Sequence, residues 1–400
     1  MLRIRRLIFI IFIAYAAIPV YAIRPAIFII SVDGFRPDYL QRNITPNINS
    51  LVKSGVSARL RNVFPTVSFT NYVSLFTGCY PENHGIISNV FKNTITGEYF
   101  DSRVADSYNS PKWYDAKFIW EYAEKFGIYS SMIYIPGGAI ASEYRGAYYF
   151  LDQSSHALPK FRVNDAISYL HEKPPYTPQL TAILFDELDN AGHLNGTFHD
   201  ETNKAIKRID SLVGTIIDSL KNLNIYENTN IIFLSVHGLA DVNEQQTINI
   251  GEILFNRNVE IINSGSYAYV YCNPDSVGTI KALLKTKNRL HIYTKEEIPD
   301  SLHIKHHPFA PDILIIADYK WLITEKNDFL TYKLKGFHGA PPQFEEMQGV
   351  FIASGPAFRA DYKIEEVNII DIYPLLCNVL GINIPRHIDG NLENIKEILK

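Results

Sequence analysis

The segment Ala26-Ile27-Phe28-Ile29-Ile30-Ser31-Val32 is apolar with no polar alternation. A strand of that kind is satisfied only with cover on both faces. Runs of the same character recur at 129–135, 181–185, 231–235, 312–317 and 349–353. Between them lie stretches with helical periodicity, at 45–54, 69–77, 117–126, 161–171, 203–223 and 369–380. Strands alternating with helices predict βαβ units, hence an α/β fold with a mostly parallel sheet and helices on both faces. In such folds ligands gather where the carboxyl ends of strands meet loops. Residues 23–400 read as a single domain, with a less regular stretch at about 249–304 as a small inserted subdomain.

Hydrophobic residues at 46% and charged residues at 20% allow a large core and exclude a disordered chain. A net charge of −4 gives no electrostatic footprint for nucleic acid. Cys79, Cys272 and Cys377 are too scattered for a disulfide framework or a thiolate metal site. Arg3, Arg5 and Arg6 precede an apolar run at 7–20, and Val20-Tyr21-Ala22 resembles a cleavage pattern. Residues 1–22 are therefore predicted to be a signal peptide, which makes the protein periplasmic or secreted. The alternative is an uncleaved anchor, marginal in length for a span and interrupted by Pro19. No later stretch is apolar enough to cross a membrane.

Polar residues at the strand ends are the candidates for chemistry. Asp33 follows the first run directly, with Gly34 after it. A carboxylate there suits a hard or borderline cation, or else caps the next turn. Phe64-Pro65-Thr66-Val67-Ser68-Phe69 leads into a helical stretch, so Ser68 is expected at or near the N-cap. Serine is a preferred cap. The same place lets helix N–H groups stabilise phosphoryl charge, and a nearby divalent metal would make the hydroxyl a nucleophile. Asp189-Asn190-Ala191-Gly192-His193 sets a carboxylate and an imidazole one helical turn apart. They read as two of three protein ligands for zinc, or as a surface turn. Ser235-Val236-His237-Gly238 and Gly336-Phe337-His338-Gly339 each present an imidazole beside glycine. One such residue would mean little; the set, at strand ends of one sheet, points to a metal-assisted site. His306-His307 reads as a loop, Trp113, Tyr114 and Trp120 as core or pocket wall, and Cys377 as buried.

Ser31-Val32-Asp33-Gly34-Phe35-Arg36, Thr45-Pro46-Asn47-Ile48 and the run from Phe64 to Asn89 resemble the nucleotide pyrophosphatase/phosphodiesterase family of the alkaline phosphatase superfamily. Thr77-Gly78-Cys79-Tyr80-Pro81-Glu82-Asn83-His84-Gly85 is especially similar. Asp189 to His193 resembles that family's Asp-x-x-Gly-His motif, and Gly336 to Gly339 its Gly-x-His-Gly. Segments 348–358 and 371–390 resemble its C-terminal end, so the likeness covers almost all of 23–400. The resemblance implies an alkaline-phosphatase-like fold with one catalytic domain, and a two-zinc phosphodiesterase or nucleotide pyrophosphatase. One zinc would be held by Asp189, His193 and His338. The other would be held by Asp33, His237 and an aspartate before that histidine, with Ser68 when deprotonated. Ser68 takes the place of a nucleophile that is threonine in most members. Asn89 and the Ser68 N–H would bind a phosphoryl oxygen, and Phe69 would line the leaving-group or base side of the pocket. Attack by Ser68 would expel an alcohol or nucleotide, and zinc-bound hydroxide would then hydrolyse the covalent intermediate. Paired ions about 4 Å apart suit such an exchange. The implied partner is a small phosphodiester or nucleotide; no protein partner is predicted.

The departures from the family pattern bear on activity. Val236 stands where the family has aspartate, and valine cannot ligate a metal. The second zinc would be weakened, and Asp241 is expected to lie beyond reach of it. Thr70-Asn71-Tyr72 replaces Pro-Asn-His, and Ile135-Pro136-Gly137-Gly138 replaces Trp-Pro-Gly-Ser, which bears on substrate choice. Two outcomes stay open: an enzyme impaired by Val236, or an inactive relative that binds nucleotides or phosphodiesters without turnover. A sulfatase would need Cys-x-Pro-x-Arg, and Cys79-Tyr80-Pro81-Glu82-Asn83 lacks the arginine. A phosphomonoesterase is disfavoured because the likeness is to the diesterase branch.

Overall fold

The computed structural model describes residues 26–140, 145–243, 245–325 and 333–400. The signal-peptide reading of 1–22 lies outside the described residues. Eight strands form a central sheet in the order Tyr362–Asn368, Val56–Arg61, Gly349–Ser354, Thr229–Leu234, Ala26–Val32, Leu180–Phe185, Ser130–Ile133, Tyr149–Leu151. Gly349–Ser354 runs antiparallel to both neighbours, and every other pairing is parallel. Ala26–Val32 lies in the interior of this sheet, and Ile27 to Val32 are all buried. That position explains a strand without polar alternation. Helices Pro46–Ser54 and Pro159–Tyr169 both pack on Asp200–Asn222, and Ser68–Thr77 and Ile119–Ala123 both pack on Ile372–Leu380. The two groups cover the sheet.

The run at 312–317 belongs elsewhere. Ile313–Ala317 lies in a four-stranded antiparallel sheet, in the order Val259–Asn263, Tyr267–Cys272, Ile313–Ala317, Leu290–Thr294. It reads as doubly buried because it separates two cores. Leu314 and Ile316 join the main core, while Ile313, Ile315 and Ala317 join a second one with Ile280 and Leu284. The four-stranded sheet thus pairs strands from the stretch read as 249–304 with Ile313–Ala317, beyond it. Val56–Arg61 and Tyr362–Asn368 went unread because their burial alternates along the strand, and Tyr149–Leu151 because it is a three-residue edge.

Three parallel strands place the site. Ala26–Val32 pairs with Leu180–Phe185 on one side and Thr229–Leu234 on the other, with Val32 opposite Phe185 and Ser31 opposite Leu234. Their carboxyl ends therefore open side by side, as the parallel-sheet rule expects.

Candidate active site

Asp33 follows the central strand, and Gly34 turns the chain at φ 75°. A Cβ on Gly34 would stand 3.2 Å from the Asp189 Cα, so glycine lets the two carboxylate-bearing segments approach. Asp189 and His193 lie on the helix Glu187–Asn195, directly after the strand Leu180–Phe185. His237 follows Thr229–Leu234. Ser235 Oγ accepts from the Phe35 N–H at 3.0 Å and donates to the His237 carbonyl at 2.7 Å, tying that strand end to the Asp33 loop. His338 arrives by a short pairing of Gly336–Phe337 with Ala240–Asp241.

Ser68 is the first residue of the helix Ser68–Thr77; the N-cap is Val67, which makes no side-chain cap bond. The expectation of a serine at or near the cap is met one residue inside it. Asn71 holds the approach to the helix. Its Oδ1 accepts from the Val63 N–H at 2.8 Å, and its Nδ2 donates to the Pro65 and Val67 carbonyls at 2.9 and 3.0 Å. The Ser68 Oγ is left to lie 3.0 Å from His237 Nε2. Asn89 Oδ1 accepts from the Phe69 N–H at 3.1 Å, so its amide hydrogens remain for an incoming oxygen. Phe69 packs edge-on against Phe100 at 5.4 Å and tilted against Tyr108 at 5.7 Å. Asp33, Ser68, Phe69, Asn89, Tyr108 and Asp189 line one cleft of about 600 Å³.

Each of the three imidazoles is oriented by a backbone carbonyl. Nδ1 of His193 meets Gly336 O at 2.8 Å, that of His237 meets Gly238 O at 2.9 Å, and that of His338 meets Thr66 O at 2.9 Å. A carbonyl only accepts, so in each ring Nδ1 carries the proton. In the neutral ring, Nε2 then carries the lone pair. Asp189 Oδ2 lies 3.3 Å from His193 Nε2, and Oδ1 lies 3.9 Å from His338 Nε2. Oδ1 is buried without a hydrogen-bond partner. Ligand atoms of Asp189, His193 and His338 all lie within 4.8 Å of one another. An orphaned carboxylate oxygen facing two imidazole nitrogens fits a catalytic zinc with three protein ligands. Burial would raise the Asp189 carboxyl, but His193, His338 and His237 hold it well below the usual carboxylate range. Burial depresses the His193 imidazole, yet Asp189 raises it on balance. Burial and the neighbouring His237 push His338 well down.

The second position is poorer. Asp33 Oδ1 accepts from the Tyr72 hydroxyl at 2.7 Å, and that hydroxyl also meets Ser31 Oγ at 2.6 Å. Burial raises the Asp33 carboxyl to about 6, with His237 opposing the rise and Asp189 adding to it. The Val236 side chain is buried in the main core, and its carbonyl accepts from Asn62 Nδ2. Among the described residues, no group of three histidine, cysteine or carboxylate ligands forms around Asp33 and His237. Asp241 is committed elsewhere: its Oδ1 accepts from the Thr197 N–H at 2.6 Å and its Oδ2 from Thr197 Oγ1 at 3.0 Å. His306-His307 does lie in a loop, as expected, but His307 is buried there, with Nε2 3.2 Å from Asp115 Oδ2.

Two positioning residues were not legible in the sequence. Tyr72 stood out only for substrate choice, and its contact with Asp33 was not anticipated. Thr66 gave no signal at all. Its Oγ1 donates to the Ala340 carbonyl at 2.8 Å and accepts from the Gly339 N–H at 3.0 Å, clasping the Ser68 and His338 loops together.

The family described as type I phosphodiesterase/nucleotide pyrophosphatase matches residues 27–341. A bis(5'-adenosyl)-triphosphatase, enpp4 of Xenopus laevis, is 31% identical over 384 residues, covering 95% of this chain and 83% of that protein. Human ectonucleotide pyrophosphatase/phosphodiesterase family member 5 is 29% identical, covering 93% and 78%. The solved structure of an inactive murine ectonucleotide pyrophosphatase/phosphodiesterase 5 in complex with AMP aligns with a TM-score of 0.89. It is 30% identical and covers 94% of this chain and 100% of that one. No helix among the described residues is long and apolar enough to cross a membrane.

Proposed function

The chain belongs to the type I phosphodiesterase/nucleotide pyrophosphatase family, and from that premise we propose an exported, zinc-dependent enzyme that cleaves phosphodiester or pyrophosphate bonds through a covalent Ser68 intermediate. The observation that carries the reading is the Ser68 hydroxyl, 3.0 Å from His237 Nε2 and opening into the same cleft as Asp189. Zinc on Asp189, His193 and His338 would supply Lewis-acid polarisation of a phosphoryl oxygen and a bound water of low pKa. Ser68 donates its proton toward the His237 lone pair, which turns the oxygen's own lone pairs to the cleft. The Asn89 amide and the Ser68 N–H would receive a phosphoryl oxygen. Phe69 and Tyr108 offer an apolar aromatic wall to a planar leaving group. The AMP complex of a structural neighbour supports a nucleotide there. A second zinc would have Asp33 and His237 as protein ligands but no third, because Val236 supplies none, and it would compete with Ser68 for the His237 lone pair. Export rests on the N-terminal 1–22 pattern.

A second reading, nucleotide binding without turnover, is favoured by Val236 and the two-residue donor set beside Ser68. Hydrolysis of bis(p-nitrophenyl) phosphate and of a dinucleoside polyphosphate, with zinc supplied, separates the two. Turnover that falls by about 10³-fold or more in Ser68→Ala supports the enzyme. AMP binding without turnover, and turnover appearing only in Val236→Asp, would establish the binding-only reading.

A further inference from the structure

We infer that this chain carries one resident metal ion, on Asp189, His193 and His338, and that a hydrogen-bonded network stands in place of a second ion beside Ser68. The inference deepens the proposed function and rests on its zinc site. The two halves of the site differ in what their donor atoms are doing. On one side Asp189 Oδ1 is buried with no partner, and the His193 and His338 Nε2 atoms converge on the same carboxylate. That half is assembled and unsatisfied.

On the other side the donor atoms already have partners. Asp33 Oδ1 accepts from Tyr72, and His237 Nε2 meets Ser68 Oγ. Tyr72 has one proton to give. An ionised carboxylate is acceptor-only, so that proton goes to Asp33 and the Ser31 hydroxyl donates to the tyrosine oxygen. Ser31, Tyr72 and Asp33 are all buried, so this relay of donors is held by packing rather than by solvent. It meets the carboxylate's need for a donor, which an ion would otherwise meet. The position beside His237 where the family pattern has a carboxylate is Val236, and its apolar side chain is packed into the core. Three protein ligands are the usual complement of a catalytic zinc. Here only two stand ready, and an ion would have to take the His237 lone pair from Ser68.

Zinc stoichiometry tests this without reference to activity. The purified protein is saturated with zinc, desalted, and measured by inductively coupled plasma mass spectrometry. One zinc per chain is expected. Asp33→Asn should keep that ion, and Asp189→Asn should lose it. Val236→Asp combined with Tyr72→Phe, which restores a carboxylate and frees Asp33, should raise the count to two. Two ions in the unchanged chain, loss of an ion in Asp33→Asn, or a count of one in a folded double variant would each overturn the inference. Should the double variant fail to fold, the two single variants still decide it. No zinc at all in the unchanged chain would sink this inference together with the zinc assignment above it. One zinc with no diester turnover would sink only the catalytic reading.

Discussion

His84 is fully buried, its Nδ1 accepting from the Ile86 N–H at 3.1 Å and its Nε2 2.9 Å from Ser74 Oγ. An amide only donates, so Nδ1 must stay unprotonated and the ring must be neutral. Burial, aided by His307, pushes its pKa down to about 3. The unfolded chain takes up a proton as pH falls through 6.5, while the native chain does not until about 3. Stability should therefore fall with pH across that window, by up to about 1.4 kcal/mol per pH unit from this residue. Urea midpoints between pH 4 and 6.5 should slope less in a folded His84→Gln variant; equal slopes would contradict the assignment. The same partner logic reads the site histidines. What the sequence displayed was an imidazole beside glycine. That each Nδ1 would meet a carbonyl, Thr66 O for His338 among them, depends on residues up to 272 positions away.

The helix Pro46–Ser54 shows the same limit one level up. Its start was legible from Thr45-Pro46, yet Thr45 makes no cap bond. The cap comes from Asp210 on the helix Asp200–Asn222. Its Oδ1 accepts from the Ile48 N–H at 2.9 Å, and its Oδ2 from Asn47 Nδ2, also at 2.9 Å. Asp210→Ala should strip the cap and leave a buried N–H unpaired, costing about 1–3 kcal/mol by chemical denaturation. A change below about 0.3 kcal/mol would mean that water replaces it. Strands of the main sheet were readable where burial is total, whereas one-sided strands such as Val56–Arg61 were not. Tyr267–Cys272 alternates: Tyr267, Tyr269 and Tyr271 face the main core, while Ala268 and Val270 face the small one. Ile313–Ala317, buried between both, has the composition of a central parallel strand without being one.

Across the whole molecule, the small sheet is bound to the main body by buried hydroxyls as well as apolar contact. Tyr267 OH meets Ser88 Oγ at 2.7 Å, and Tyr269 OH donates to the Ile87 carbonyl at 2.8 Å. Those contacts end on the loop that carries Asn89, so the insert buttresses the cleft. Because the two cores share the strands Tyr267–Cys272 and Ile313–Ala317, they are expected to unfold together, with far-ultraviolet circular dichroism and tryptophan fluorescence coinciding. Removing zinc with a chelator should lower the melting temperature, since zinc at 1,000 times its Kd contributes about 4.1 kcal/mol by linkage. Two separated transitions, or a melt indifferent to chelation, would refute this picture. Most of the architecture and the whole donor inventory were legible in local sequence. Runs without polar alternation demand double cover, and the order of motifs places Asp33, Ser68, Asp189, His193, His237 and His338 at strand ends or in the turns, loops and helices that follow them. Only the tertiary structure decided what those donors do. Composition sets what a residue must bury, whereas a hydrogen bond needs a partner delivered across the chain. Tyr72 reaches Asp33 from 39 residues away, Asp241 is claimed by Thr197 from 44, and neither outcome is written in local sequence.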